Sequence, residues 1–76
     1  MFWLVFDTPR GPCVILQPAP HSLHARLVAG IKHKLNPENF QEGHALDAKL
    51  IKKIPKDMIG KPLSAKQAQQ LLKKLV

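Results

Sequence analysis

The fold is decided by residues 2–16, FWLVFDTPRGPCVIL, in which two apolar runs flank a turn. Both runs are rich in aromatic or β-branched residues, which favour β-strands. The segment Thr8-Pro9-Arg10-Gly11 suits a type I turn, because proline occupies its second position and glycine its fourth. These features predict an N-terminal β-hairpin with strands at about residues 2–6 and 13–17.

The predicted hairpin lacks a polar face. Every residue from Phe2 to Phe6 is apolar, and continuous apolar strands are typical of sheets that are covered on both sides. The helices that follow can cover one side. As an alternative hypothesis, a second copy of the chain covers the other side through the N-terminal hairpin, and the protein is a structural or protein-interaction module that forms a homodimer.

A helical stripe follows the prolines that end the hairpin. Leu23, Leu27 and Ile31 recur every four residues and predict a helix at about residues 23–35, with Ser22 as its N-cap. The helix should end before Pro37, because the residue before a proline avoids the helical conformation. We expect the leucine stripe to face the core.

Two further helices are predicted in the second half of the chain. Apolar residues at helical spacing indicate one at about residues 45–54, which Pro55 ends. The other spans about residues 65–75, since Ser64-Ala65-Lys66-Gln67 matches a capping box that satisfies two amides at a helix start.

A short third strand near residues 40–46 is compatible with the sequence. Phe40, Glu42 and His44 share one strand parity, and Phe40 is the only large apolar residue in this stretch before Leu46. The expected fold is therefore a single small α+β domain over residues 1–76, in which the hairpin packs on three helices.

Length and composition exclude several classes of protein. A chain of 76 residues forms one domain, and 45% apolar residues are too many for a disordered tail. One cysteine cannot form a disulfide framework. No apolar run reaches the length of a membrane span, and the apolar start lacks the basic region of a signal peptide. We therefore predict a cytoplasmic protein with no membrane partner.

The histidines do not form a recognisable metal-binding pattern. His21 and His24 are three residues apart, but no cysteine pair or carboxylate is spaced to complete a zinc site. On a helical wheel His24 falls within the leucine stripe, whereas His33 lies near the opposite face. We expect a partly buried His24, surface positions for the others, and no metal or cofactor.

The nucleophiles also have structural explanations. Cys13 lies in a predicted strand, where a free cysteine usually behaves as a small buried hydrophobe. Ser22 and Ser64, the only serines, are both predicted helix caps. There is no glycine-rich phosphate loop and no close pair of carboxylates. The sequence predicts a non-enzymatic protein and indicates no small-molecule substrate.

Positive charge is concentrated in the second part of the chain. Twelve Lys and Arg against five Asp and Glu give a net charge of +7. Residues 31–76 hold ten lysines and four carboxylates, which accounts for +6 of it. A helix would align Lys49, Lys52, Lys53 and Lys56 into one stripe, and Lys61 follows it in the chain. These five lysines form a candidate site for an anionic partner.

The leading functional hypothesis is thus a small basic binding module. Its partner would be nucleic acid, bound weakly and without sequence preference through phosphate contacts, or an acidic protein surface. Only two of the cations are arginine, the residue favoured for bidentate phosphate and base contacts. No aromatic residue is interleaved with the lysines to stack on bases, so a dedicated sequence reader is not expected.

Overall fold

The computed structural model describes residues 1–75, which form an α+β fold with a four-stranded antiparallel sheet and three α-helices. The prediction of one domain over residues 1–76 extends to Val76, which lies outside the described residues. In chain order the elements are β1 Phe2–Thr8, β2 Gly11–Gln17, α1 Ser22–His33, β3 Phe40–Ala45, α2 Ala48–Ile51, β4 Leu63–Ser64 and α3 Ala65–Leu75. Short 3-10 turns cover Pro37–Asn39 and Lys56–Met58.

The predicted hairpin is confirmed and is longer than expected. β1 and β2 pair from Phe2 with Gln17 to Thr8 with Gly11, so that only Pro9 and Arg10 lie in the turn. The Thr8 hydroxyl donates to the Gly11 carbonyl at 2.7 Å and accepts from the Arg10 amide at 3.2 Å. These side-chain bonds extend the ladder to the turn itself.

The strand order β3-β1-β2-β4 places the hairpin in the middle of the sheet. β1 pairs on its outer side with β3, and β2 pairs with β4 at Cys13 and Val14. Each face of the sheet has its own core. Leu4, Phe6 and Ile15 lie on the face that α1 covers, and Val14 and Leu16 lie on the face that α3 covers.

The hairpin dimer was inferred from the expectation that one side of the hairpin is left uncovered by the chain, and this expectation is wrong. We expected the chain to cover only one side of the apolar strands, but α1 and α3 cover both. The outer edge of β1 is also paired with β3 from Phe2 to Phe6, and the outer edge of β2 is paired with β4 at Cys13 and Val14. The hairpin therefore lies at the centre of the sheet, and the two outer strands are β3 and β4.

The face of α1 that packs on the sheet is opposite to the predicted one. Ala25 and Ala29 are fully buried against the β1–β2 face, whereas Leu23, Leu27 and Ile31 are exposed. The two sets lie on opposite sides of a helical wheel. Alanine lets the helix backbone lie close to a sheet that is already filled by large side chains such as Phe6, and the leucines are thereby turned outward.

Both ends of α1 also differ from the prediction. The N-cap is His21, whose Nδ1 accepts from the His24 amide at 3.2 Å, and Ser22 is the first helical residue. At the other end Lys34 adopts the left-handed conformation with φ of 54°, and the Leu35 amide donates to the Gly30 carbonyl at 2.9 Å. The helix therefore ends before Leu35, by a Schellman-type cap and not at Pro37.

The second helix is much shorter than predicted. The expected helix at 45–54 is α2, four residues long, because Ala45 belongs to β3 and Asp47 caps the helix by accepting from the Leu50 amide at 3.1 Å. The chain then continues to Ile54 with 3-10-type bonds, and Ile54 is buried in the α3-side core. The predicted helical stripe of lysines is therefore not formed.

The third strand is confirmed, but its alternation contains a bulge. Val5 pairs with Glu42 and Phe6 with Phe40, so that Gln41 is an extra residue in β3. Phe40 consequently lies on the α1 face, and Glu42 and His44 lie on the other face beside Trp3. The single parity that we expected for Phe40, Glu42 and His44 is wrong.

The C-terminal helix is confirmed as α3, with its capping box. The Ser64 hydroxyl accepts from the Gln67 amide at 3.2 Å, and the Gln67 side chain accepts from the Ser64 amide at 3.0 Å. Ser64 also ends the two-residue strand β4, which the sequence did not reveal. Leu71 and Leu75 pack from this helix onto the sheet.

The orientation of α1 can be tested by enlarging its buried face. Ala29→Leu should lower the free energy of unfolding by roughly 1–3 kcal/mol, because the added atoms must fit between helix and sheet. Urea denaturation measures the change. Ala48→Leu, at an exposed helical position, is the matched control and should change stability by about 0.5 kcal/mol or less. An Ala29→Leu protein as stable as its control would contradict the burial of this face of α1 against the sheet.

Candidate functional site

An apolar groove lies beside the outward face of α1. The side chains of Leu23, Leu27 and Ile31 are 56%, 53% and 81% exposed, and they form a ridge along the helix. The adjoining groove is about 200 Å³ in volume and is bounded on its far side by Pro37 and Phe40. Contiguous exposed apolar patches are typical of surfaces that bind a protein, a ligand or a membrane.

The floor of the groove is held by aromatic contacts. Phe40 meets Phe6 edge-to-face, with ring centroids 5.4 Å apart and an interplanar angle of 68°. The Arg26 guanidinium lies 4.2 Å from the centroid of the Phe40 ring, a cation–π contact. Gly30 lines the groove between Leu27 and Ile31, where the absence of a side chain leaves room. Arg26 thus presents a positive charge within an otherwise apolar surface.

The charge of this surface is not balanced by carboxylates. The sequence contains no Asp or Glu between Asp7 and Glu38, a stretch that includes all of α1. Within residues 1–75 the ion pair found at 4.0 Å or less joins His44 to Glu42, at 3.4 Å. Arg26 is therefore available to a carboxylate of a partner.

The five lysines predicted to bind an anionic partner are all exposed. They come from different local structures and not from one helix: Lys49 in α2, Lys52 and Lys53 in the turn after it, Lys56 in a 3-10 turn and Lys61 before β4. Sequence reasoning did not connect Lys32 with this region. Its Nζ lies 3.5 Å from the position that a β-carbon on Gly60 would occupy, which brings the end of α1 next to Lys61.

Cys13 lies where the sequence predicted it, in a strand. It shares a shallow groove with His33, Ser64 and Gln67. Burial raises the pKa of the Cys13 thiol, and a backbone hydrogen bond with Leu63 opposes that effect only in part. A raised pKa reduces the thiolate fraction at neutral pH, which is the opposite of what a cysteine nucleophile requires.

Two of the four histidines are neighbours at the start of α1, where the ring centroids of His21 and His24 lie 5.8 Å apart. His33 lies at the other end of α1 and His44 lies in β3. His21 caps α1, His44 pairs with Glu42, and His24 is exposed although we expected partial burial. His33 is half-buried, and its Nε2 atom is buried without a hydrogen-bond partner. In the part of the chain that the structure describes, no three His, Cys, Asp or Glu side chains are placed to hold a metal ion.

Comparisons with family models, with curated proteins and with solved structures gave no match for this chain. Among residues 1–75, each helix is too short or too polar to cross a bilayer.

The groove on α1 is the site that sequence reasoning missed. Its residues were assigned to the core because Leu23, Leu27 and Ile31 form a regular stripe. A signal for the other orientation exists in Ala25 and Ala29, two small residues four apart on the opposite face. Such pairs permit close packing of a helix on a crowded surface.

The reactivity of Cys13 follows from its pKa direction. Because burial disfavours the thiolate, iodoacetamide should modify the folded protein at neutral pH more slowly than it modifies glutathione. In urea the rate should rise to that of a free thiol. Mass spectrometry of timed samples measures both rates, and faster reaction of the folded protein than of glutathione would contradict the assignment.

Proposed function

We propose that this protein is a non-enzymatic binding module that docks an acidic amphipathic helix of a partner protein on the α1 groove. The observation that carries the proposal is the exposed ridge of Leu23, Leu27 and Ile31 beside an unpaired guanidinium, Arg26. An apolar ridge favours a partner with an apolar face, and a cation within that surface favours a carboxylate beside it.

The spacing of the ridge favours a helical partner. The three side chains extend over two turns of α1, and all three line the groove. An amphipathic helix places apolar residues at i, i+3, i+4 and i+7 into such a groove. A volume of about 200 Å³ is below the range of about 300–1,000 Å³ that is usual for small-molecule pockets, but it suits one or two inserted side chains.

Charge favours an acidic partner over a second copy of α1. Between Ser22 and Leu35 the chain holds Arg26, Lys32 and Lys34 and no carboxylate. Packing two copies of this helix against each other would bring cations together, whereas a helix with Glu or Asp along the edge of its apolar face would complement them. The net charge of +7 would also speed the encounter with an acidic protein.

A synthetic acidic helix tests the proposal. The probe is a peptide of about 18 residues, five helical turns, with leucines at i, i+3, i+4 and i+7 spacing and glutamates elsewhere. Fluorescence anisotropy should show salt-sensitive binding. We expect the Leu27→Asp/Ile31→Asp protein to bind about tenfold more weakly or worse, because the ridge then repels the peptide. Arg26→Gln should weaken binding and reduce its salt dependence.

Two controls distinguish peptide binding at the α1 groove from non-specific binding. Leu72 is 48% exposed on the other face of the sheet, so Leu72→Asp should leave peptide binding unchanged within about twofold. A peptide of the same composition with scrambled order should bind weakly. Equal binding by the ridge variant and the parent protein overturns the proposal. So does binding to anionic phospholipid vesicles without binding to the peptide, which would assign the ridge to a membrane surface.

A second candidate function is weak nucleic-acid binding through Lys49, Lys52, Lys53, Lys56 and Lys61. It is favoured by the exposure of all five side chains and by the lack of any carboxylate within 4.0 Å of a lysine in residues 1–75. The lysines are distributed over turns, which suits contact with phosphates more than readout of bases.

A charge-matched comparison tests this candidate. Anisotropy titration of a random duplex and a single strand should show binding at low salt that falls steeply as salt is raised. Lys52→Glu/Lys53→Glu should weaken it more than Lys73→Glu/Lys74→Glu, which changes the net charge equally but on α3. Equal loss in both variants would indicate an effect of total charge, and no binding at low salt would exclude nucleic acid.

The lack of catalysis and the cytoplasmic location belong to the same proposal. The raised pKa of the Cys13 thiol supports a binding role, because it disfavours the thiolate that a cysteine nucleophile requires. A single cysteine suits a reducing compartment.

A further inference from the structure

β3 forms an outer edge of the sheet. Some of its backbone amides and carbonyls point toward β1, and the others point away from the sheet. The Leu46 amide donates to the Met1 carbonyl at 3.0 Å, and Trp3 lies opposite His44 and Val5 opposite Glu42. Hydrogen bonding alternates along an antiparallel strand, so Glu42 and His44 direct their amide and carbonyl toward β1. The amide and carbonyl of Gly43, between them, therefore point away from the sheet.

The side chains of this edge are also ordered by face. Glu42 and His44 lie on the α3 face, where His44 Nε2 is 3.4 Å from a Glu42 carboxylate oxygen. Gly43 lies on the α1 face, where a β-carbon would come within 3.1 Å of both Leu4 Cδ2 and the Phe40 ring. The strand thus has no side chain at Gly43, and it carries an acidic group, Glu42, and a basic group, His44, on either side.

Three antiparallel registers can join this edge to a second copy of itself around its centre. Backbone amides and carbonyls that point away from one sheet must bond with those that point away from the other. Near the centre of β3 this requires a two-fold axis that passes through residue 42, 43 or 44. An axis at Glu42 places two carboxylates opposite each other, and an axis at His44 places two imidazoles opposite each other. An axis at Gly43 places Glu42 of each copy opposite His44 of the other, which is the complementary arrangement.

We propose that the protein forms a symmetric dimer through β3, with the two Gly43 residues paired at the axis and two Glu42–His44 contacts across the seam. The dimer joins two four-stranded sheets into one of eight strands. The Gly43 amide of each copy donates to the Gly43 carbonyl of the other. The second copy satisfies an exposed edge that would otherwise be open to unrelated strands.

An apolar surface beside the seam can contribute to this contact. On the α3 face a groove of about 410 Å³ runs from Trp3 and His44 to Leu72, whose side chain is 48% exposed. A two-fold axis perpendicular to the sheet brings the two copies of this groove to the same side of the seam. Hydrogen bonds at an exposed edge contribute little net free energy, so additional apolar burial would favour association.

Two measurements on the full chain test the seam. Sedimentation equilibrium from micromolar to millimolar protein should show a reversible monomer–dimer equilibrium. Amide hydrogen exchange followed by NMR should show that the Gly43 amide becomes protected as the protein concentration rises. The His44 amide, which donates to β1, should be protected at every concentration. A monomer at all concentrations, or a dimer whose Gly43 amide stays unprotected, overturns the proposal.

A charge exchange tests the register. Glu42→Lys and His44→Glu should each weaken the dimer by about tenfold. The first removes the carboxylate from both Glu42–His44 contacts, and the second places carboxylates opposite each other twice. The double variant Glu42→Lys/His44→Glu restores opposite charges in this register alone and should recover most of the affinity. Circular dichroism of each variant verifies that the monomer stays folded. Failure of the double variant to recover affinity would overturn the register.

Discussion

The whole architecture depends on the need of one short chain to cover both faces of an apolar hairpin. β1 and β2 alternate between two cores, so that Leu4, Phe6 and Ile15 need cover on one side and Val14 and Leu16 on the other. Because the described residues form a single sheet, α1 packs on one face and α3 packs on the other. The remaining segments fill the gaps at the edges.

The two helices meet this need in different ways. α3 is strongly amphipathic and buries Ala68, Leu71 and Leu75 in the usual manner. α1 covers a face already occupied by the rings of Phe6 and Phe40, and its fully buried side chains are those of Ala25 and Ala29. The cost of this close approach is an outer surface of leucine and isoleucine, which is unfavourable in water unless another molecule covers it.

Local sequence signals predicted the elements that local interactions stabilise. The hairpin follows from its composition and turn, and α3 from a capping box that the side chains of Ser64 and Gln67 form in the structure. Periodicity showed that α1 has two unlike faces, but it did not show which face meets the sheet. That choice depends on residues far away in the chain that already occupy the space.

The remaining errors have the same long-range origin. Pairing with β1, some forty residues earlier in the chain, draws Ala45 into β3 and leaves α2 to start after Asp47. The bulge at Gln41 then turns Phe40 to the face where Phe6 and Arg26 meet it. Neither effect has a signature within a window of a few residues. For this reason the contribution of Phe40 to the candidate groove could not be predicted from the sequence.

The position of the hairpin has a consequence for how the protein folds. The two central strands of the sheet are the first two in the chain, and a two-residue turn joins them. Their contacts close very short loops, which form on the microsecond timescale of isolated hairpins. The edge strands and both covering helices come later in the chain. We therefore expect folding to run outward from the centre of the sheet, in the same order in which a ribosome delivers the residues.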